Sequence, residues 1–399
     1  MGQGDLERLV LCGQAHGRAV DGQDLGALAT WLELFYDLVY VAAIIQLGNA
    51  LSKDVSPVGL VAFVALFIPI WWSWTGITFY INRFVVDDFW YRMLIFVQIG
   101  FIAILAMSVP KAFGELAVQF TLAYVGIRAV LIILYVRGGR SVPQARPLTR
   151  RYAIGFSIAA AIWFLSVFVP APARYAVWAL GMIVDFAVPL SSRRLNALIP
   201  PDVSHMAERY GLFTIIVMGE AFVKVISSAP EEPLAATELV LGALGLTIVG
   251  AMWWIYFDNV AGSPVKPVGR APYIWIYSHL PLAIGLTAFG VGIKKIIFLH
   301  GTEGIPDGYR LILGGALATV LVFAMLIELA TTRPQNAGPI RLRAGVQFAA
   351  AAIVAAIAVL GASLPPVAFM ALLAAVSVAP ILVGLFASRG ESAIEPSTF

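Results

Sequence analysis

Charge is scarce in this 399-residue chain. Asp, Glu, Lys and Arg make up 12% of it and hydrophobic residues 60%. A soluble domain carries about 25% charged residues. The deficit runs the whole length, which excludes a soluble globule with one anchor and leaves a polytopic membrane protein. Cysteine is nearly absent as well. The lone Cys12 precedes the first apolar run, so neither a disulfide framework nor a CxxC metal site is expected. No HExxH, GxxxxGK or GxSxG stretch occurs, and the chain is expected to use no metal, no cofactor and no recognisable catalytic motif. "HMAER" (205–209) departs from an H-x-x-E-H zinc motif because Arg209 cannot ligate a metal. Its Glu208 and Arg209 read as an ion pair at the membrane boundary, with His205 facing the cytoplasm. The net charge is only +3 and the basic residues cluster in loops, which argues against a nucleic-acid face. Residues 1–30 hold Asp5, Glu7, Asp21 and Asp24 and no basic segment followed by an apolar core. The first membrane helix is therefore expected to act as an uncleaved insertion signal.

What is present is apolar length. Crossing a bilayer as a helix takes about 20 mostly apolar residues. Twelve runs meet that criterion, near 30–51, 57–81, 91–110, 113–136, 151–169, 174–190, 210–228, 235–257, 272–293, 309–329, 343–361 and 365–387. Helices are expected because lipid offers no partner to an open backbone. Pro69, Pro281 and the Gly314–Gly315 pair interrupt runs where kinks or close helix contacts would fall. The fold class is thus an all-α polytopic membrane protein of about twelve transmembrane helices.

Lys and Arg set the expected orientation. Counted over alternate segments, eighteen of the 26 basic residues fall on one side, with Arg137, Arg140, Arg146, Arg150 and Arg151 the densest group. Lys53, Lys111, Arg174, Lys294, Lys295 and Arg310 fall on the other, and Arg128 and Lys224 lie within spans. The positive-inside rule then places both termini in the cytoplasm, with the protein in the bacterial inner membrane.

The halves resemble each other. Trp71–Trp72 in the second run match Trp253–Trp254 in the eighth, 182 positions on. Gln98 matches His279 at a shift of 181, and Asp37 matches Glu220 at 183. Two parallel six-helix repeats follow, related by an axis along the membrane normal. The expected division is a tail over 1–29, repeats over 30–190 and 210–387, a cytoplasmic linker over 191–209 and a tail over 388–399.

An ionised side chain at mid-bilayer costs about 2.5–3.5 kcal/mol even on insertion scales, so each one needs a partner, a cavity or a proton. "ELFYDLVYV" (33–41) puts Glu33 and Asp37 one turn apart on one helix face. Two like charges that close favour a shared proton. They read as a proton or cation site, or as a structural pair with Arg128 or another inner-leaflet base. Glu33 falls at the head of the run and Asp37 deeper. Glu220 and Lys224 have the same spacing, and form either a self-neutralising pair or, through the match of Glu220 to Asp37, part of a site between the repeats. His279 is a candidate for proton coupling or a packing residue. Asp185, Asp258, Glu328 and Arg128 suit interhelical pairing. The candidate binding set is Asp37, Glu220, His279, Glu33, Lys224, Arg128 and Gln98.

Aromatics form the remaining signal. Trp71, Trp72, Trp253 and Trp254 either line a path or belong to interface belts. "NRFVVDDFWYR" (82–92) reads as a charge lock between the second and third spans or as a solvated loop.

Together, "ELFYDLVYV" (33–41), "IWWSWTGITFYINRFVVDD" (70–88), "HMAERYGLFTIIVMGE" (205–220), "MWWIYFD" (252–258) and "YSHLPLAIGL" (277–286) resemble the bacterial low temperature requirement protein A family over about residues 30–387. Tyr36, Tyr40 and Tyr210 stand where that pattern more often has phenylalanine. The resemblance implies a polytopic inner-membrane protein linked by name to growth in the cold, and implies no particular reaction. "FYDLVYVAAIIQL" (35–47) is more distantly similar to the first helix of two-repeat potassium and proton channels, with Tyr36 in place of a serine.

The expectation is a transporter or channel for a small solute or ion, with Asp37 and Glu220 near a path between the repeats. Its partners would be the lipid bilayer, that solute or ion, no nucleic acid, and a second copy of the chain if it oligomerises. The alternatives are an intramembrane enzyme acting on a lipid or quinone, and a non-catalytic cold-adaptation scaffold.

Overall fold

The computed structural model describes residues 30–84, 88–226, 235–258, 260, 263–266, 269–299, 304–332 and 340–392, with side chains at all of these except 224–225 and 387–392. Among them are thirteen α-helices and four single-turn 3-10 segments, and the only β pairing is an isolated bridge between Val265 and Thr331. The helices are α1 (Trp31–Lys53), α2 (Pro57–Ile81), α3 (Phe89–Ser108), α4 (Ala117–Ser141), α5 (Arg146–Leu165), α6 (Ala173–Ser191), the short α7 (Arg193–Leu198), α8 (Val203–Ile226), α9 (Ala236–Phe257), α10 (Ala271–Ile297), α11 (Asp307–Leu329), α12 (Ile340–Leu360) and α13 (Pro366–Ser392).

Eleven of these are long and apolar enough to cross a membrane. The remaining long helix, α8, carries Glu208, Arg209, Glu220 and Lys224. It begins at Val203, inside the stretch that the sequence assigns to a cytoplasmic linker (191–209). That boundary is corrected: Asp202 accepts from the backbone N–H groups of Ser204 and His205 at 2.9 and 3.1 Å, so the helix starts where its first free amides find an acceptor. The same device starts other helices. Thr30 accepts from Glu33 N, Ser56 from Gly59 N ahead of Pro57, and Asp88 from Tyr91 N.

Large apolar residues such as Trp31, Val61, Ile183 and Phe386 lie on the outside, as lipid-facing residues do. Lipid is as apolar as leucine, so helices associate by close packing and by polar contacts rather than by escaping water. Close packing is visible on α10, the most enclosed span at 72% buried; α6 and α13, at 28%, lie at the rim. A Cβ added at Gly290 would stand 2.6 Å from the Cβ of Ala221 on α8, and one at Gly292 would stand 2.9 Å from the Cα of Leu313 on α11. Glycine lets three helices meet there. Pro69 and Pro281 lie inside α2 and α10.

α1 packs on α3 and α8 on α10, while α1 also touches α2, α8 and α10. α1 and α10 therefore form the middle of the molecule, where α1–α6 meet α8–α13.

Candidate functional site

Two helices bring four charged or titratable side chains together at this junction. Glu33 and Asp37 lie four residues apart on α1, and His205 and Arg209 four apart on α8. Both pairs share a helix face, so crossing the helices matches two acids to two bases. Arg209 donates through Nη1 to Glu33 Oε2 at 2.8 Å and through Nη2 to Asp37 Oδ1 at 2.6 Å. His205 Nε2 reaches Glu33 Oε2 at 3.1 Å, and Trp74 Nε1 on α2 donates to Asp37 Oδ1 at 2.7 Å. Glu33, Asp37, His205 and Arg209 are all buried. Arg209 thus ties α1 to α8 inside the molecule. The sequence places it at the membrane boundary with His205 facing water; His205 is instead buried against Glu33, and Arg209 is buried between two carboxylates two turns into α8.

A second polar chain runs beside this cluster. Tyr36 donates to Gln98 Oε1 at 2.9 Å, and Gln98 Nε2 donates to the carbonyl of Ile127 at 3.0 Å. The hydroxyls of Tyr40 and Ser73 meet at 3.0 Å. Tyr210 sits edge-on to Trp71 and Trp74 and against Trp275 and His279, with ring centres 4.8–6.3 Å apart. His279 points Nδ1 at the carbonyl of Trp275, 2.7 Å away, and Nε2 at the Tyr256 hydroxyl, 2.9 Å away. A carbonyl only accepts, so Nδ1 carries the proton and a neutral ring accepts from Tyr256.

Next to the cluster lies a partly open cavity of about 430 Å³. The first half contributes Trp72, Thr75, Gly76, Phe79, Arg83, Tyr135, Tyr152 and Phe156. Pro189, Arg193 and Asn196 follow from the α6–α7 corner; Met206, Lys266, Tyr273, Trp275 and Tyr277 come from the second half. Met206 and Thr75 line it while their chain neighbours His205 and Trp74 hold the carboxylates, so one wall separates cavity from ion cluster.

The other sequence candidates fall elsewhere. Arg128 is fully buried and pairs with Asp185, not with Glu33 or Asp37. Glu220 is buried on α8, eleven residues from Arg209, which is about 16 Å along a helix at 1.5 Å per residue. Asp37 and Glu220 therefore do not make one site: Asp37 is held by Arg209, three turns away. The side chain of Lys224 lies outside the described residues, as does Asp87 of the 82–92 loop. Trp71 and Trp72 face inward, and Trp72 reaches the cavity. Trp253 and Trp254, 44% and 41% exposed, face outward from α9. Glu328 pairs with Arg343 at 3.2 Å, and Asp258 is exposed at the end of α9. Among the described residues no cluster of three or more His, Cys, Asp or Glu is placed to hold a metal.

Reading the sequence misses Arg209, His205 and Arg83. A signal for the first two is present: His205 and Arg209 repeat the four-residue spacing of Glu33 and Asp37, with bases in place of acids, at the head of α8.

Comparison with known proteins agrees with this architecture. The chain is 30% identical over 284 residues to "Uncharacterized protein RA0937" of Rhizobium meliloti (strain 1021), which covers 66% of this chain and 68% of that protein. A family profile described as "Bacterial low temperature requirement A protein (LtrA)" matches residues 28–382, from the cap of α1 to the body of α13. This integral membrane protein therefore belongs to the bacterial low temperature requirement A family.

Proposed function

We propose that the chain is a carrier for a small solute, with its binding site in the cavity between α1–α6 and α8–α13. One observation carries this reading: a cavity of about 430 Å³, within the range of about 300–1,000 Å³ usual for small-molecule sites, walled by both halves of the bundle. Carriers built from two repeats place their sites at such a junction. Like packing of α1 on α3 and of α8 on α10 supports treating the halves as repeats. By the positive-inside rule the cavity, rimmed by Arg83, Arg193 and Lys266, opens toward the cytoplasm of the inner membrane.

The ion cluster supplies the rest of the mechanism. Two carboxylates face one arginine, so the cluster carries an extra negative charge unless His205 or a carboxylate holds a proton. Removing or adding that proton changes how strongly α1 and α8 attract each other, and those helices come from opposite halves. Binding beside the shared wall would be felt by the cluster through Met206, Thr75 and Trp275.

The test is current measurement on proteoliposomes adsorbed to a solid support, challenged with a panel of small organic anions, cations and neutral solutes. Ala197 lines the cavity mouth on the exposed side of α7, away from the ion cluster. Ala197→Trp should fill the mouth and reduce a wild-type solute current at least tenfold while leaving thermal stability unchanged. Wild-type vesicles that give no more signal than empty ones across the panel would sink the carrier reading.

A further inference from the structure

We infer that the cavity recognises a small anion with a flat aromatic body, its acid group held by Arg83. The inference rests on the carrier reading for its physiological use, and on the cavity alone for its chemistry. The lining contains three cationic side chains and no Asp or Glu. Arg83, Arg193 and Lys266 have no carboxylate within ion-pair distance among the described residues. Three cations with no carboxylate partner among the described residues focus a positive field into the cavity, and that field selects an anion.

Arg83 is the built element of the site. Its Nε donates to the carbonyl of Ile199 and its Nη2 to Asn196 Oδ1, both at 3.1 Å. The guanidinium also lies 5.4 Å from the ring centre of Phe79 and 5.8 Å from that of Tyr152. The side chain is therefore fixed without neutralising its charge. Nη1 remains, buried, with the Tyr135 hydroxyl as the acceptor beside it, a contact that falls outside ordinary hydrogen-bond geometry. An acid oxygen between them would accept from both the guanidinium and the hydroxyl, and such charge-assisted bonds are the strong ones.

The body of the ligand is set by the remaining wall. Trp72 and Tyr277 lie nearly parallel, 15° apart, and Trp72 packs against Phe186 at 4.1 Å. The Trp72 and Tyr277 rings line the cavity beside Tyr135, Tyr152, Phe156 and Trp275, and so aromatic a lining favours a flat π surface over a branched aliphatic one. The volume suits one or two fused rings and is too small for a diacyl lipid. An anionic lipid headgroup offers the charge without the ring, so the two sources are separable by experiment.

The experiment uses the full-length protein in phosphatidylcholine nanodiscs and measures binding calorimetrically with naphthalene-2-carboxylate. Naphthalene-2-methanol, which lacks the charge, and cyclohexanecarboxylate, which lacks the ring, serve as controls. The carboxylate should bind at least tenfold more tightly than either. Arg83→Gln should weaken it about 10–100-fold, as expected for loss of a charge-assisted bond. Arg83 also braces Asn196 and Ile199, so Arg193→Gln is the second variant: it holds no backbone, and should weaken binding a few-fold. Equal affinity for the acid and the alcohol, or unchanged affinity in both variants, overturns the anion assignment; equal affinity for the cyclohexane acid overturns the aromatic one. Nanodiscs with phosphatidylglycerol should bind as well as the neutral ones. Competition by that lipid would reassign the cavity to headgroups and overturn the proposal. Binding without vesicle current would leave this inference standing and remove the carrier, whereas current with other solutes and no binding here would do the reverse.

Discussion

Among the described residues two arginines are completely buried, and they do different work. Arg128 on α4 meets one carboxylate, Asp185 on α6, through Nε at 3.1 Å and Nη2 at 2.9 Å. Tyr124 donates to the same oxygen at 2.7 Å, and the guanidinium lies over the rings of Tyr124 and Phe156. Charges there balance one to one, inside one half. Arg209 meets two carboxylates and a histidine, and joins the halves. A balanced pair within a half is a fastener: it lets polar groups pass the bilayer and fixes α4 on α6. An unbalanced cluster between halves carries a negative charge that the first pair lacks. The contrast is why the second cluster, and not the first, is the one proposed for coupling.

The largest effects come from removing the arginines. Breaking a buried ion pair from one side costs about 3–5 kcal/mol, because a charge is left behind. Arg128→Met strands one carboxylate and Arg209→Met strands two. Both variants should unfold at lower temperature in detergent, with Arg209→Met the worse. A smaller loss for Arg209→Met than for Arg128→Met would show that the two carboxylates already share a proton.

Neutralising both sides sharpens the distinction. Replacing a buried pair by apolar or neutral groups is often close to neutral in stability. Arg128→Met with Asp185→Asn should therefore recover most of the stability lost by Arg128→Met. Arg209→Met with Asp37→Asn leaves Glu33 facing His205. It should recover stability only in part, and should abolish any proton-coupled flux while passive binding in the cavity persists. Stability restored fully together with wild-type flux would break the comparison.

Single donors come next. Tyr124→Phe removes a hydrogen bond to Asp185 and leaves Arg128 Nε its other acceptor there, the Asp185 carboxylate, while Trp74→Phe removes one to Asp37. Hydrogen bonds to charged groups are worth about 1.5–3 kcal/mol. Trp74→Phe should cost more than Tyr124→Phe, because it also shrinks a ring stacked on Phe213 at 4.2 Å. Thermal unfolding of the two variants side by side reads this order.

These particulars explain what was legible in the chain. Spans were legible because hydrocarbon demands about 20 apolar residues per crossing. The acids of "ELFYDLVYV" stood out because buried charge is expensive. Arg209 was hidden by the rule that reads topology: basic residues between apolar runs are counted as loop. Asp202 caps α8 ahead of it, and that cap draws the arginine into the bundle. Trp253 and Trp254 illustrate a different limit. Periodicity gives the neighbours a residue has on its own helix, but not which side meets lipid, and α9 turns that pair outward. Arg83 reads in the sequence as part of a loop, locked by local charges or solvated, whereas its partners, Asn196 and the Ile199 carbonyl, lie more than a hundred residues away. Asp37 and Glu220 do not meet, and the ground for proposing transport is instead a cavity whose walls come from both halves.

A third ion pair tests the comparison at its weak end. Arg137 and Asp88 pair at the end of the bundle with side chains 28% and 42% exposed. The hydrogen bond from Arg137 holds the Asp88 carboxyl below its ordinary range, aided by the backbone N–H of Tyr91. A carboxyl lowered in the folded state adds stability above its unfolded value, near about 3.9, and that stability is lost as pH falls through the folded value. Exposed pairs contribute about 0.2–1 kcal/mol, and solvent screening keeps this one in that range. Asp88→Asn is the informative variant, because asparagine still caps α3 and only the charge is removed. It should lower the unfolding temperature slightly at pH 7, and the difference from wild type should vanish as pH falls through the folded value and the carboxyl protonates. A cost as large as that of Arg128→Met would mean that exposure does not grade these arginines, and would remove the physical ground for treating the buried clusters as special.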